Sequence, residues 1–564
     1  MYISANIMNA MNKKYNLNIY LFSILSSSFY RMSNDTNKLY DFIIIGGGIA
    51  GLYTMYNILK KRPHSKILLI EKENILGGRI HTFTDKYMSV EAGAGRFHAN
   101  NVLLLQLIRE LGLSSKINEI SSSASYAPID CSGKFLNSIL DAPEREPSFF
   151  DFLGLDDNDI LHLPGSQYTP FSFPFSFSFS LFEPIFTLGL DMTLGTQNIP
   201  NAEFILRVIL ASKGEPVKRL QNMSFISYAK TVLNNEEIDF IKSSFGYYSE
   251  LIIMNAYDAI YLMEKHLSPI HPFYSLSGGL SQIIENLEKK IMNKKLYKNA
   301  QIIKGQGVSS IRFSKKDNEF VLHCSGSGGS GGSGGDGSIS YTSKKCICAL
   351  PKNVLEKLTI FTPLRICNAQ TVSPRSLITA HKVGVLNVQR CNPIRGLLDK
   401  VDCAPLCRIY SKFPLLENGN GDREPWFVGL TKLTTNNNLR MIIPIDENEG
   451  IIMSSYTDNK YARFWKDLFD KEGEQGVNRE LVRLLKQSTG LDVDMPLKTH
   501  LFYWPCGVGY WGIGTNSEVV SKQILQPFPH LDLFICGENY SWHNQQWIEG
   551  ALDTSNFVLE KLSL

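Results

Sequence analysis

The chain has 564 residues and a formal net charge of +3, and 43% of its residues are hydrophobic while 20% are charged. This composition is typical of a globular protein with two or three domains, and the small net charge excludes a nucleic-acid surface built on basic residues. No uninterrupted apolar run reaches the roughly 18 residues that a membrane span requires, so we expect no membrane attachment.

The N-terminal segment and the cysteines bear on localisation. Residues 1–38 are expected to be a disordered leader, although the stretch 13–31 loosely resembles a signal peptide, and Met32 is an alternative start. The ten cysteines are scattered, with no paired CxxC motifs of the kind that hold zinc. We therefore expect reduced thiols, no metal site and a soluble, intracellular protein.

The next segment has the pattern of a strand, a glycine turn, a helix and a second strand. Residues 42–45 are continuously apolar, as a strand buried on both faces requires, and apolar residues from Ile49 to Leu59 recur at helical spacing. Pro63 ends the helix, and residues 66–70 form the second strand. The pattern predicts a βαβ unit with a parallel pair of strands.

The glycine turn has the spacing of a dinucleotide-binding site. Gly46 permits the tight turn, Gly48 lets the backbone approach a pyrophosphate, and Gly51 lets helix and strand pack closely. Glu71 follows twenty residues after Gly51, at the end of the second strand, where it can accept both hydroxyls of an unphosphorylated adenosine ribose. The predicted binding residues in this unit are Gly46, Gly48, Ile49, Ala50, Gly51, Glu71 and Lys72.

Two biased stretches lie further along the chain. Residues 171–182 alternate Phe and Ser, which suits a half-buried strand, a biased tract that a slack part of the fold tolerates, or a substrate funnel lined with Phe. Residues 325–338 are almost entirely Gly and Ser. Because both flanking segments have strand patterns, we interpret this stretch as a flexible hairpin loop rather than a domain boundary.

Four further segments resemble the flavin-dependent amine oxidase family, which includes monoamine, polyamine and L-amino-acid oxidases. They are NILGGRIHTF at 74–83, VEAGAGRFH at 90–98, LFICGENY at 533–540 and QWIEGAL at 546–552. The resemblance implies an α/β fold, with a discontinuous Rossmann-type FAD-binding domain and an interleaved α+β substrate domain. It assigns residues 39–95, 272–352 and 500–564 to the FAD-binding domain, and residues 96–271 and 353–499 to the substrate domain.

The resemblance also implies how the chain holds the cofactor. Arg79 approaches the pyrophosphate, Glu538 contacts the ribityl chain, and the backbone of Val308 lies on the adenine side. A helix that begins near residue 550 places its N–H groups against the flavin ring. The cofactor-binding residues implied in this way are Gly78, Arg79, Gly93, Ala94, Gly95, Arg96, Val308, Gly537, Glu538, Trp547, Ile548 and Ala551.

Three substrate-side roles follow from the same resemblance. An aromatic pair flanks the amine, with Trp547 as one member and either Tyr510 or Trp511 as the other. A lysine holds a water near the flavin, and Lys357 lies nearest to the family position, with Lys352 as the alternative.

The third role concerns Arg96. It falls where L-amino-acid oxidases have their carboxylate-binding arginine, and a guanidinium can donate two hydrogen bonds to a carboxylate. This position favours an amino-acid substrate over a plain amine.

The expected activity is oxidation of an amine, in particular an L-amino acid, to the imine, with dioxygen reduced to hydrogen peroxide. The Ser-Gly-Gly-Cys stretch that attaches flavin in monoamine oxidases is not reproduced around Cys506, so we expect non-covalent FAD. The expected partners are the small substrate and dioxygen, with no nucleic acid, and a homo-oligomer is compatible with the sequence. The alternatives are a related desaturase or isomerase of an apolar substrate, or a non-catalytic flavin-fold scaffold.

Overall fold

The computed structural model describes residues 38–120, 125–127, 201–266, 273–325, 339–361, 394–417 and 419–564. The predicted leader and the Phe/Ser tract therefore lie outside the described residues. The strands within the described ranges are β1 (Leu39–Ile45), β2 (Ile67–Ile70), β3 (Thr82–Thr84), β4 (Ser89–Glu91), β5 (Phe97–His98), β6 (Ile117–Ile120), β7 (Ser125–Ala127), β8 (Phe273–Leu276), β9 (Ala300–Ile303), β10 (Gly307–Ser314), β11 (Glu319–Ser325), β12 (Ile339–Cys348), β13 (Thr359–Phe361), β14 (Val401–Lys412), β15 (Leu416–Glu417), β16 (Arg423–Glu424), β17 (Leu433–Thr435), β18 (Met441–Asp446), β19 (Ile451–Asp458), β20 (Lys498–Trp511) and β21 (Leu533–Ile535).

The helices of the same ranges are α1 (Ile49–Lys61), α2 (Val102–Glu110), α3 (Ala202–Ser212), α4 (Val217–Gln221), α5 (Phe225–Ala229), α6 (Asn235–Ser244), α7 (Tyr248–Ile252), α8 (Ala256–His266), α9 (Ser281–Ile291), α10 (Lys352–Leu355), α11 (Arg395–Leu398), α12 (Asn459–Thr489), α13 (Ser517–Leu525) and α14 (Ile548–Lys561). Among the helices in these ranges, none has the length and apolar character needed to cross a bilayer.

The first sheet is built around β1. This strand pairs in parallel with β12 on one side and with β2 on the other, and β9 continues the parallel arrangement beyond β2. The side chains of residues 42–45 are each at most 4% exposed, because helices cover both faces of the sheet. The predicted βαβ unit, with α1 between two parallel strands, is confirmed.

The other edge of this sheet contains the hairpin that the Gly/Ser stretch joins. Strands β10, β11 and β12 pair antiparallel in that order, β13 runs parallel to β10, and β21 runs parallel to β12. Cys324 on β11 faces Ile339 on β12, at the two ends of the stretch. Residues 326–338 themselves lie outside the described part of the chain.

The two faces of the first sheet are covered by helices from distant parts of the sequence. On one face α1, α2, α9 and α14 share one apolar cluster with the sheet. On the other face α10, α11 and α13 share a second cluster. The last helix lies directly on the first, where Ser555 Oγ donates to Ala50 O at 3.1 Å and Tyr53 Oη donates to Asn556 Oδ1 at 3.1 Å. Helices α1 and α14, from opposite ends of the described sequence, therefore form one layer.

The second sheet has the order β20-β14-β19-β18-β17-β7 and packs against the long helix α12. Strand β20 covers residues 498–511, so the domain boundary expected at residue 500 falls at the beginning of a strand of this second sheet. Conversely, β13 at residues 359–361 belongs to the first sheet, beyond the boundary expected at residue 352.

A helical layer formed by α3 to α8 packs against the second sheet. Its apolar cluster includes residues from each of these helices and also Ala404 on β14 and Tyr510 on β20. Half-buried Trp547, which immediately precedes α14, packs against the same cluster. The helical layer, the second sheet and the end of the chain therefore meet around Tyr510 and Trp547.

The expectation that all the cysteines are reduced is wrong. Cys403 on β14 and Cys506 on β20 form a disulfide, with their Cα atoms 5.1 Å apart. The two residues are separated by 103 positions in the sequence and meet only because β14 and β20 are antiparallel neighbours with an irregular register next to Ala404. Among the described cysteines, Cys407 on the same strand is a buried free thiol.

We predict that this disulfide stabilises the protein under oxidising conditions. Cys403→Ser is expected to lower the free energy of unfolding by about 2–4 kcal/mol, because the crosslink restricts the unfolded chain. Dithiothreitol should lower the stability of the natural protein by a similar amount and leave that of Cys403→Ser unchanged. Denaturant unfolding with and without reductant measures both effects.

Cys407→Ser is the matched control, because it removes a neighbouring thiol that is not crosslinked. Its stability should respond to dithiothreitol as the natural protein does. Equal stability of the natural protein in the presence and absence of reductant would contradict the assignment.

Candidate functional site

The glycine turn before α1 combines two tightly packed glycines with one that faces open space. A Cβ at Gly46, where φ is +103°, would lie 2.4 Å from Ala349 O, and a Cβ at Gly51 would lie 2.1 Å from Gly46 O. Gly48 has an ordinary φ of −73°, and a Cβ there would meet nothing nearer than Gly77 O at 3.9 Å. Gly46 and Gly51 are therefore required by packing, whereas Gly48 borders a space that a ligand can occupy.

Glu71 lies beside this turn, as its spacing predicts. Its Oε2 accepts a hydrogen bond from Gly47 N at 2.7 Å, and its Oε1 accepts from Glu73 N at 2.8 Å. Its backbone oxygen accepts from Gln306 N at 2.9 Å, which brings the start of β10, and with it Val308, to the same edge of the sheet. The predicted ribose-side and adenine-side residues are therefore neighbours.

A second glycine loop faces the first. Gly77 N donates to Gly47 O at 2.9 Å, and Gly78 has a positive φ of +58°. Between the loops begins α1, whose first turn contains no acidic residue and whose N-cap, Gly48, has no side chain to satisfy the free N–H groups. Unpaired N–H groups and the positive end of the helix dipole suit a phosphate.

Glu538 joins four segments next to Arg79, which directly follows the second glycine loop. The region between the two glycine loops and Glu538 is called the crevice below. Its Oε2 accepts from Arg79 Nη1 at 2.6 Å, and its Oε1 accepts from Gly509 N at 3.0 Å and from Gln546 N at 2.6 Å. Arg79 also donates to Gly507 O at 3.0 Å. The structure thus pairs two predicted cofactor residues with each other, and ties both to β20 and to the loop before α14.

The start of α14 is fixed by its own hydrogen bonds. Thr554 Oγ1 accepts from Gly537 N at 2.9 Å, and the Glu549 carboxylate accepts from Leu103 N at 2.8 Å and Leu104 N at 3.0 Å, which satisfies two amides at the start of α2. The predicted cofactor residues of this helix, Ile548 and Ala551, are buried in its first turn.

The loop of residues 93–96 runs from the backbone of Arg79 to the side chain of Arg96. Ala94 N donates to Arg79 O at 2.8 Å, and a Cβ at Gly93 would lie 2.0 Å from the same oxygen. Arg96 Nη2 donates to Tyr247 Oη at 2.7 Å, and its Cζ lies 4.3 Å from the centre of the Phe273 ring. This arrangement leaves the half-buried Arg96 guanidinium without a carboxylate among the described residues.

Phe273 links Arg96 to the predicted aromatic pair. Its ring stacks on that of Trp547, with 5.8 Å between the ring centres and 14° between the planes. Tyr510 is 1% exposed and lies in the helical cluster against which Trp547 packs. Trp511 points to the opposite face of β20, lies in the core of the first sheet, and donates through Nε1 to Ser541 O at 3.0 Å. Of the two alternatives, only Tyr510 shares a cluster with Trp547.

A buried arginine, Arg408, lies near the half-buried Arg96. Arg408 donates through Nη1 to Glu91 O at 3.0 Å and through Nη2 to Tyr456 Oη at 3.3 Å. The rings of Tyr456 and Tyr247 meet edge to face, with 5.6 Å between their centres. Two tyrosines therefore separate Arg96 from Arg408 in a buried basic cluster that sequence reasoning did not find.

Other ionisable side chains in this region have shifted pKa values. Burial, followed by the charge of Arg96, lowers the pKa of Lys432 to about 7. Burial, followed by repulsion from Asp458, raises the pKa of Glu250 to about 8, against an opposing effect of Arg96. Burial also raises the pKa of Tyr510 well above its ordinary value. Perturbed groups gathered in one place are typical of a functional site.

The two candidate lysines lie elsewhere. Lys357 is exposed in the turn after α10, while Lys352 Nζ forms an ion pair with Glu356 at 2.8 Å. Lys352 N donates to Asn539 Oδ1 at 3.0 Å, so its backbone adjoins the Glu538 region. Lys72 pairs with Glu73 on the surface at 3.0 Å. Neither Lys352 nor Lys357 contacts the cluster of Arg96 and Trp547 in the part of the chain that the structure describes.

Comparison with known proteins supports these observations. The family model described as flavin containing amine oxidoreductase matches residues 49–556. An uncharacterized protein of Acanthamoeba polyphaga mimivirus is 32% identical over 553 residues, which cover 92% of this chain and 93% of that protein. The chain belongs to the flavin-containing amine oxidoreductase family.

Other members of this family and related folds match more weakly. An L-amino-acid oxidase of Mus musculus is 36% identical over 83 residues, which cover 14% of this chain and 13% of that protein. A putrescine oxidase bound to putrescine has the same fold, with a TM-score of 0.59 at 14% identity over 93% of this chain and 100% of that one. A putative protoporphyrinogen oxidase from Exiguobacterium sp. has a TM-score of 0.56 at 14% identity over 93% of this chain and 99% of that one.

Membership of a flavin-containing family implies a flavin cofactor, and the crevice fits one. Gly48 borders open space, the two glycine loops face each other across the start of α1, and the Glu71 carboxylate lies beside the turn. The residues that sequence reasoning missed, among them Tyr247, Glu250 and Arg408, lie in segments without a recognisable motif. In the sequence each of them is an isolated charged or aromatic residue, and such residues are common on any protein surface.

We predict that Gly48→Ala abolishes flavin binding without unfolding the protein. The new Cβ has space in the protein itself and φ is allowed, but it would project where the cofactor passes. The dissociation constant for flavin should rise at least about tenfold, which corresponds to a loss of at least roughly 1.4 kcal/mol of binding free energy, and titration of flavin-free protein with flavin measures it. The melting temperature in the absence of flavin should stay unchanged.

Gly214→Ala is the matched control, because a Cβ at this exposed glycine likewise causes no clash and meets no atom within 4 Å. It should retain the full flavin content. Unaltered flavin binding by Gly48→Ala would show that the space beside Gly48 is not the cofactor crevice.

Proposed function

We propose that the protein is an FAD-dependent amine oxidase whose substrate is an L-amino acid. The observation that carries this proposal is the position of Arg96, whose guanidinium lies beside the Phe273 and Trp547 stack, donates to a phenol, and forms no ion pair with an acid among the described residues. A half-buried cation without an ion pair favours a counter-charge, and a substrate carboxylate can supply it. A plain amine would leave this cation without one.

The proposed cofactor is FAD, held without a covalent bond. Glu71 and Val308 at the end of the crevice suit an adenosine moiety, which FMN lacks. The thiol nearest to the Gly507 segment, Cys506, is in a disulfide with Cys403, so it is not free to attach a flavin. Bound FAD would supply the redox chemistry, accepting a hydride equivalent from the carbon beside the amine, with dioxygen as the final acceptor.

The protein's own residues would bind and orient the substrate. Arg96 would hold the carboxylate, while the Trp547 ring and the buried Tyr510 would enclose the amine in an apolar wall. Exclusion of water strengthens the charge interaction at Arg96 and limits premature hydrolysis within the site. The role of a lysine is still a prediction; the contact of Lys352 with Asn539 favours Lys352 over the exposed Lys357.

We predict that Arg96→Met separates the two substrate classes. For L-amino acids, kcat/KM measured by hydrogen peroxide release should fall by at least about 30-fold, because truncating one partner of a buried charge pair costs roughly 2–5 kcal/mol. For amines without a carboxylate, kcat/KM should change little.

Arg109→Met on the exposed side of α2 is the control and should leave both values unchanged. Equal losses for amino acids and plain amines in Arg96→Met would contradict the amino-acid assignment.

A further inference from the structure

Glu250 is a buried acid without a partner. It lies in the first turn of the short helix α7, and its side chain is 7% exposed. In the part of the chain that the structure describes, its carboxyl group makes no hydrogen bond and no ion pair, in contrast to the buried acids Asp258, Glu538 and Glu549. A carboxyl group on a buried side chain without a hydrogen bond is costly, and a ligand that brings a partner for it would be favoured.

The helix that carries Glu250 is fixed in place. Asp458 on β19 accepts hydrogen bonds from Tyr248 N at 3.2 Å and from Ser249 N at 2.7 Å, which caps the start of α7. Arg440 donates to Phe245 O and to Ser243 O, which fixes the end of the preceding helix α6. The segment that leads into α7 is therefore held at Phe245 and again at Ser249, the residue immediately before Glu250.

The groups that face Glu250 place it at the substrate side of the crevice. They come from three directions: Asp458 from β19, Tyr510 from β20, and Arg96 with its partner Tyr247 from the loop side. Asp458 repels a negative charge on Glu250 and Arg96 attracts one. Tyr247, whose hydroxyl accepts from Arg96, lies one turn before Glu250, and the next residue, Leu251, belongs to the cluster of Tyr510. Helix α7 therefore holds Glu250 near both, where the amine is expected.

The surroundings of Glu250 also set its charge in the free protein. Burial and the repulsion by Asp458 raise its pKa to about 8, so the carboxyl group is mostly protonated near pH 7. A cation placed next to it would favour the ionised form. Binding of a cationic group and loss of one proton are therefore linked.

We propose that Glu250 binds the α-ammonium group of the amino acid while Arg96 holds the carboxylate, and that Glu250 then accepts one proton from that ammonium. This inference rests on the proposed function. On binding, protonated Glu250 first releases its proton to solvent and forms an ion pair with the ammonium. One N–H bond then breaks, an O–H bond forms on Glu250, and the electron pair stays on nitrogen as the lone pair of the free amine.

This transfer gives Glu250 a catalytic role, since only the free amine has the lone pair that assists removal of the hydride equivalent from the adjacent carbon. The two electrons go to the flavin cofactor proposed above. Arg96 and ionised Glu250 would bear opposite charges within electrostatic range of each other, as a ligand with one carboxylate and one ammonium requires.

The test measures proton release on binding of a ligand that cannot be oxidised. The ligand 2-aminoisobutyrate has both charged groups but no hydrogen on its α-carbon, and isobutyrate has the carboxylate alone. Calorimetric titration of the FAD-bound protein at about pH 7, in buffers of different ionisation enthalpy, gives the affinity for each ligand and the number of protons that are released or taken up on binding. Any carboxylate at Arg96 offsets the charge that adds to burial in lowering the pKa of Lys432, so both ligands share the proton uptake at Lys432. We expect 2-aminoisobutyrate to release roughly one proton more than isobutyrate, and this difference to vanish above about pH 9, where Glu250 is already ionised.

Glu250→Gln should abolish the difference in proton release between the two ligands. It should also weaken the affinity for 2-aminoisobutyrate at least about tenfold and leave the affinity for isobutyrate unchanged. Asp258→Asn is the matched control, because Asp258 is also a buried acid with a pKa raised by burial to about 7, yet it pairs with Ser517 and Asn255 away from the site. It should release protons as the natural protein does. Melting temperatures of both variants report folding.

The outcomes separate the two proposals. If the natural protein binds 2-aminoisobutyrate and Glu250→Gln releases the same number of protons with the same affinity, the role of Glu250 is overturned and the amino-acid site stands. If the natural protein binds neither ligand, the amino-acid site fails and the role of Glu250 fails with it. If Glu250→Gln weakens both ligands equally, Glu250 supports Arg96 only, and the assignment to the ammonium is wrong.

Discussion

The packing of the last helix on the first is the contact on which the rest of the structure depends. Ser555 of α14 and Ala50 of α1 are 505 residues apart and share a hydrogen bond in a continuous apolar layer. Closing a loop of this length costs about 5 kcal/mol of chain entropy, which the burial of apolar surface along α1 and α14 must offset. Once α14 is seated, its hydrogen bonds position Gly537, and the loop before it brings Gln546 to Glu538. The cofactor crevice is therefore a consequence of the closure of the whole chain.

The same closure creates the substrate side. Trp547 immediately precedes α14, and its stacking on Phe273 connects the cofactor crevice to Arg96. The second sheet and the helical layer contribute the other charged groups, so the region between them holds Arg96 and Glu250, neither of which forms an ion pair within the described part of the chain. Such an arrangement costs stability in the free protein and favours a ligand that bears complementary charges. Specificity would then come from the substrate domain, while the redox chemistry would belong to the cofactor.

Local motifs made the geometry of the glycine turn predictable from the sequence. The turn at Gly46, the helix after it and the acid at Glu71 obey short-range rules of backbone geometry, and the structure places them together as expected. Long-range pairing was not predictable in this way. The bond between Cys403 and Cys506 depends on the register of two strands, and a period of two along β20 decides that Trp511 lies in the first core. Glu250 had no motif, since its significance arises only from burial without a partner.

The most direct test of the central claim is the identity of the bound cofactor after acid precipitation of the purified protein. The account, in which both ends of the chain hold one FAD without a covalent bond, predicts about one flavin per chain in the supernatant, with the mass of FAD. Truncation of α14 should abolish this content. A colourless folded protein, flavin that stays with the precipitate, or FMN in place of FAD would contradict the account.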